Sequence, residues 1–122
     1  MCSFFNKFKT FLFLVNKEIA GTISWDIRGG IEDGVVELVG LGVNQPYRRQ
    51  KIGKNLLEAM IRECETYFSE QGYELRVIFL YMEKSNEIGE LFYKSMNFDN
   101  ICEIPSFYPK NDAIIWIRYF ER

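Results

Sequence analysis

The sequence contains no histidine, and that single absence excludes more chemistry than any residue present. It removes histidine-based catalytic triads, HExxH zinc sites and histidine general bases together. Acid–base work must then fall to carboxylate, tyrosine, lysine, cysteine or water. Cysteine is also scarce: Cys2, Cys64 and Cys102 are odd in number and show no CxxC spacing. A disulfide framework and a structural zinc site are therefore not expected, and a reducing cytoplasmic setting fits better. No stretch approaches the ~20 apolar residues that a membrane span needs, so no membrane association is expected. The opening MCSFFNKFKTFLFLV superficially resembles a signal peptide. Its apolar run from Phe11 to Val15 is short, leads into a turn and has no small-residue cleavage site, so it reads as a strand. Repeats, low-complexity tracts and linkers are missing too, which makes residues 1–122 one expected domain.

Acidic residues are absent from one place where they are normally favoured. The stretch VNQPYRRQKIGKNLL, residues 43–57, runs from an apolar strand into an amphipathic helix, with Arg48, Arg49, Lys51 and Lys54 at the junction. A helix start carries roughly half a positive charge, so Asp and Glu are its usual neighbours. Clustered cations there are unfavourable unless an anion sits among the unpaired backbone N–H groups. The whole chain has a net charge of −2, so general basicity does not explain the cluster. The same balance argues against a sequence-independent nucleic-acid binder, and a local anion such as a diphosphate is the expected ligand.

The remaining pattern places that junction in a fold. Residues 10–16 and 19–27 are β-rich and separated by a short turn, as in a hairpin. Gly29, Gly30 and Gly34 precede a third strand at 35–43. From 49 to 71, Ile52, Leu56, Leu57, Met60, Ile61, Cys64 and Phe68 recur on one face of a long helix, and Gly72 is suited to end it. Residues 75–82 (LRVIFLYM) read as a central strand, 86–96 as a second helix capped by Asn86 or Ser85, and 98–104 and 113–120 as final strands around a Pro-containing loop. The fold class is α+β: an antiparallel meander feeding a β-α-β crossover. The long helix makes strands 35–43 and 75–82 parallel, and the ligand crevice of such sheets lies at the carboxyl ends of the strands. The basic junction sits at that end.

Two segments resemble one family. PYRRQKIGKNLL resembles the acyl-CoA diphosphate loop, (Q/R)xxGx(G/A), of the GNAT superfamily of N-acetyltransferases, and NEIGELFYKSMNF resembles its later motif, roughly NxxAxxxYxxxGF. The order of elements is also that family's, over about residues 10–120. The resemblance implies a splayed mixed sheet and acetyl-CoA as co-substrate. It implies transfer of the acetyl group to a primary amine of a small molecule or peptide, with no metal. Gln50, Lys51, Ile52, Gly53 and Lys54 would offer backbone N–H groups to the diphosphate, with Arg48 and Arg49 adding charge. Leu41 and Val43 would line the pantetheine arm on a strand whose Gly40 and Gly42 fit a bulge. Asn86 would hydrogen-bond the pantetheine.

Tyr93 would protonate the departing thiolate, the other reading being a tyrosine that packs on the sheet. Glu37 matches the base of histone-acetyltransferase-type members. A partly buried carboxylate can take the amine's proton directly or through water, whereas an alternating strand can equally turn a glutamate to solvent. The ending SFYPKNDAIIWIRYF also resembles the ribosomal-protein N-acetyltransferases, but Tyr81 stands where they carry their glutamate. The chain departs from the pattern at Lys51 (a glycine in the family), at Gly89 (alanine) and at Asn97 (glycine). It also has only about nine residues where the family has a strand and two helices before the hairpin. These departures keep a second reading open, a non-catalytic CoA-binding or assembly module, and make a homodimer a possible arrangement.

Overall fold

A computed structural model of the protein describes residues 9–48 and 51–120. The elements are β1 (Lys9–Val15), β2 (Glu18–Arg28), β3 (Val35–Val43), α1 (Ile52–Glu70), β4 (Val77–Glu83), α2 (Glu87–Ser95), β5 (Asp99–Tyr108) and β6 (Asn111–Tyr119). They form one mixed sheet in the order β1-β2-β3-β4-β6-β5. β3 and β4 are parallel and every other neighbouring pair is antiparallel. The expected meander and crossover are both present.

The β1–β2 hairpin turns at Asn16 and Lys17, with φ of 52° and 69°. Two consecutive left-handed residues are what a two-residue hairpin turn requires. β3 follows a short 3-10 turn at Ile31–Asp33 and Gly34, whose φ is +67°. The Gly34 carbonyl accepts from the N–H groups of Arg76 (2.8 Å) and Val77 (3.1 Å), which seeds the parallel pairing of β3 with β4. A side chain on Gly34 would run into the Glu74 carbonyl.

That parallel pairing stops almost at once. Its register is Val35↔Val77, Val36↔Ile78 and Glu37↔Phe79, and beyond Glu37 the two strands part. β3 also carries a bulge: Ser24 pairs with Gly40 but Trp25 with Leu38, which leaves Val39 as the extra residue. The sheet therefore opens as a fork between Leu38–Val43 and Leu80–Glu83.

α1 buries Ile52, Leu56, Leu57, Met60, Ile61, Cys64 and Phe68, the full apolar stripe read from the sequence. It lies against β1, β2 and β3. A Cβ on Gly21 would sit 3.1 Å from both Ile52 Cγ2 and Leu56 Cδ1, so glycine permits this close approach. Ile23, Trp25, Val36 and Leu38 complete the core on that face. At its carboxyl end Gly72 (φ 87°) and Tyr73 donate to Ser69 and Phe68 carbonyls, a paired closing motif.

α2 ends the same way without glycine. Asn97 (φ 68°) donates to the Lys94 carbonyl and Phe98 to the Tyr93 carbonyl, while the Tyr93 and Phe98 rings touch edge to face at 5.5 Å. Asparagine tolerates the left-handed conformation, so the departure at Asn97 keeps the geometry. Gly89 is not equivalent to alanine here. A methyl there would meet Met82 Sδ, which occupies the space, and Asn86 Nδ2 at 2.9 Å.

The last two strands are longer than their apolar pattern implies. β5 runs through Pro105 to Tyr108, because the ladder is irregular between Ile104 and Tyr108 and demands no donor from proline there. Ser106 N–H bonds Asp112 Oδ1 (2.8 Å) across that irregularity. Trp25 and Trp116 are core residues, each 2% exposed. Trp116 Nε1 is fully buried and has no hydrogen-bond partner.

Candidate active site

The cationic junction is built as the charge pattern requires. α1 begins at Ile52 with Lys51 as its N-cap, no side-chain cap and no acid in the first turn. The first helical bond runs from Asn55 N–H to the Lys51 carbonyl (3.0 Å), so the N–H groups of Ile52, Gly53 and Lys54 have no acceptor within the helix. Lys51 adopts the left-handed conformation (φ 62°, ψ 22°), which a glycine would take without strain. The departure from the family pattern thus keeps the loop's backbone shape at some cost. The Ile52 side chain turns into the core, 3% exposed, which leaves its backbone for any ligand. Arg49 and Gln50 lie outside the described residues.

The approach to the junction is tied to the hairpin. Asn44 N–H bonds the Ala20 carbonyl (2.7 Å), Asn44 Nδ2 bonds the Ile19 carbonyl (2.5 Å), and Tyr47 Oη bonds Glu18 Oε1 (2.9 Å). Arg48 Nε reaches back to the Val43 carbonyl (3.2 Å). These anchors were not singled out in the sequence, although Asn-Gln-Pro-Tyr is itself a turn-forming run.

Three elements converge beside the open fork. A Cβ on Gly53 would lie 3.4 Å from the Phe92 ring and 3.8 Å from Val43 Cγ2, so the start of α1, the end of β3 and α2 meet there. Leu41 and Val43 pack against the core at this meeting point. Tyr93 lies beside Phe92, ring centroids 5.0 Å apart, and is 8% exposed. Burial pushes its phenol up to about 12. Among the described residues its hydroxyl has no hydrogen-bond partner. Asn86 caps α2, its Oδ1 accepting from Gly89 N–H at 2.8 Å.

Glu37 lies on the other face. Val36 and Leu38 point to the α1 core, so alternation turns Glu37 to the face without helices, at the last β3–β4 pair. It is not isolated: Oε1 accepts from Arg28 Nε at 2.8 Å, Nη2 lies in an ion-pair contact with it at 2.8 Å, and Arg28 Nη1 donates to Asp26 Oδ2 at 2.7 Å. Sequence reading missed this clamp, though Asp26 and Arg28 alternate on a strand of the same hairpin. Phe79, opposite Glu37, starts a row of rings through Tyr81 (5.9 Å), Phe107 (5.3 Å, stacked) and Tyr108 (5.1 Å). An open cleft of about 510 Å³ lies at its end, lined by Glu83, Tyr108, Pro109, Lys110 and Asn111. Tyr81 is 39% exposed, so β4 is fully covered only on its helix side. The structure therefore gathers Leu41, Val43, Gly53 and Tyr93 on the helix side and sets Glu37 on the opposite face of the sheet, at the base of the fork.

The sequence matches the model of the acetyltransferase (GNAT) family over residues 3–98. The protein belongs to the GNAT acetyltransferase family. The ribosomal-protein-S18-alanine N-acetyltransferase of Escherichia coli superposes with a TM-score of 0.78 at 23% identity, over 96% of this chain and 72% of that one. Naa50 of Arabidopsis thaliana, solved with the bisubstrate analogue CoA-Ac-MVNAL, gives 0.77 at 28% identity, over 91% and 72%. The PaiA N-acetyltransferase of Thermoplasma acidophilum, solved with coenzyme A, gives 0.72 at 21% identity, over 98% and 65%. A search of curated protein sequences finds no match.

Within this GNAT protein, Cys64 is a core residue whose thiol is pushed up to about 12 by burial, and Cys102 is exposed. Such burial leaves Cys64 inert as a nucleophile. Among the described residues, no group of three or more His, Cys, Asp or Glu side chains converges as a metal site would, and no helix is long and apolar enough to cross a membrane.

Proposed function

We propose that the protein is an acetyl-CoA-dependent N-acetyltransferase acting on a primary amine by direct attack on the thioester. The observation that carries this reading is the meeting of the uncapped cationic start of α1 with the end of β3 and with Phe92 of α2, the helix that carries Tyr93. The diphosphate would lie on the free N–H groups of Ile52, Gly53 and Lys54, with Lys51, Lys54, Arg48, Arg49 and Gln50 around it. The pantetheine would follow Leu41 and Val43 and meet Asn86, reaching the fork from the helix side. The CoA complexes of the PaiA and Naa50 relatives support that cofactor.

The acceptor would arrive from the opposite face. Its nitrogen bonds the acetyl carbon while the carbon–sulfur bond breaks, and backbone N–H groups around the Val39 bulge stabilise the oxyanion. Of the protons the ammonium gives up, one passes to Glu37 or to water and one ends on the CoA sulfur. Tyr93 has the protonation state its task needs, since a phenol raised to about 12 keeps its proton at neutral pH. A thiol titrates near 8.5, so complete transfer from so weak an acid is uphill. Tyr93 therefore acts chiefly by hydrogen-bonding the thiolate as charge develops, with solvent supplying the final proton.

The engagement of Glu37 by Arg28 favours a second reading, a CoA-binding module without turnover. Calorimetry with acetyl-CoA, desulfo-CoA and ATP, followed by thiol release with tyramine, spermidine, an Ala-starting and a Met-starting pentapeptide, separates the two. The transferase reading expects micromolar acetyl-CoA binding, weaker ATP binding and turnover of at least one amine. Binding without turnover of any of them supports the module.

A further inference from the structure

Resting on that reading, we propose that Arg28 is a positioning residue for Glu37: it holds one carboxylate oxygen and leaves the other to meet the acceptor amine. Asp26 and Glu37 are direct partners in the β2–β3 register. Their side chains emerge on the same face, with Cβ atoms about 5 Å apart as opposed residues are. Two carboxylates so placed repel. Arg28, two residues along the same strand, also emerges there and carries a permanent charge.

Its guanidinium divides its donors between the two acids. Nε donates to Glu37 Oε1 at 2.8 Å, Nη2 lies in an ion-pair contact with the same oxygen at 2.8 Å, and Nη1 donates to Asp26 Oδ2 at 2.7 Å. Asp26 is itself fixed from behind, its Oδ1 accepting from Ile27 N–H at 2.9 Å. Among the described residues Glu37 Oε2 accepts no hydrogen bond. The Glu37 side chain is 17% exposed and that of Arg28 41%, so the clamp closes from the solvent side onto the more enclosed acid. A charge-assisted bond from a planar guanidinium anchors that one oxygen in a direction that a lysine, a single mobile point charge, does not reproduce. The three side chains sum to one negative charge at the fork, which suits the approach of a cationic amine.

The test is a double-mutant cycle between Arg28 and Glu37, read as kcat and KM with tyramine, spermidine and the two pentapeptides as acceptors. Arg28→Met should lower kcat at least tenfold with KM for acetyl-CoA unchanged, and Arg28→Lys should fall between. In a Glu37→Gln background, Arg28→Met should have no further effect on kcat, because the group it orients is gone. An equal fall in both backgrounds, or none in the wild-type background, would overturn the proposal. Arg28→Lys keeps the cycle usable if the Met variant does not fold. Full activity of Glu37→Gln would instead overturn the base role itself and the clamp with it. Acetyl-CoA binding without turnover of any acceptor would do the same, and each outcome is recognisable separately.

Discussion

Lys51 occupies a left-handed N-cap (φ 62°, ψ 22°) at the point where α1 presents its unpaired N–H groups. A side chain in that conformation costs roughly 1–2 kcal/mol that glycine does not incur. Lys51→Gly should therefore raise the unfolding free energy by about 1 kcal/mol, measured from the denaturant midpoint. The same change removes a cation from the junction, so acetyl-CoA should bind severalfold more weakly by calorimetry. Unchanged stability would mean that the strain is relieved elsewhere. Of the individual site residues, the cations of the junction were the most legible in the sequence, because their sign is wrong for an ordinary helix start. The clamp on Glu37 was not, because it depends on which residue of β2 faces which residue of β3. That register shifts at the Val39 bulge, which no period-two pattern reveals.

The fork is an element-scale property, created by how briefly β3 and β4 pair. Gly34 sets that pairing: its carbonyl receives the N–H groups of Arg76 and Val77, and Arg76 Nη1 also bonds the Asp33 carbonyl at 2.6 Å. Gly34→Ala would place a methyl against the Glu74 backbone carbonyl at a φ of +67°. We expect a loss of about 3 kcal/mol in chemical denaturation, combining the strained φ with displacement of the turn. A variant as stable as wild type would show that the fork does not depend on this turn. Helices and strands were legible from periodicity, since α1 buries every residue of its predicted stripe. Their ends were less so. β5 extends through Pro105 because its ladder is irregular there, and that irregularity comes from the partner strand and from Asp112.

Across the whole molecule, two buried acids should shape the response to alkali. Burial raises the Cys64 thiol from 9.0 to about 12 and the Tyr93 phenol from 10.0 to about 12. Folding favours the neutral form of each. The stability they contribute is complete below their ordinary values and is lost as pH rises from those values toward about 12. The melting temperature should not change through these groups up to about pH 8.5 and should fall progressively above pH 9. Cys64→Ala should lessen that fall, and an equal alkaline fall in the variant would count against the assignment of part of it to Cys64. Turnover should outlast neutral pH on the alkaline side for the same reason, as the Tyr93 hydroxyl keeps its proton.

Family membership follows from two motifs in the right order around a crossover that the sequence made legible. The proposed division of the site between two sheet faces was not legible, because it depends on where β3 and β4 separate. The central claim, that Tyr93 serves the leaving thiolate from the helix side of that fork, is tested most directly by comparing wild type with Tyr93→Phe. Acetyl-CoA affinity would be measured by calorimetry and turnover by thiol release. The account predicts a fall in kcat on the order of a hundredfold with acetyl-CoA affinity unchanged. Equal turnover by the two proteins would contradict it.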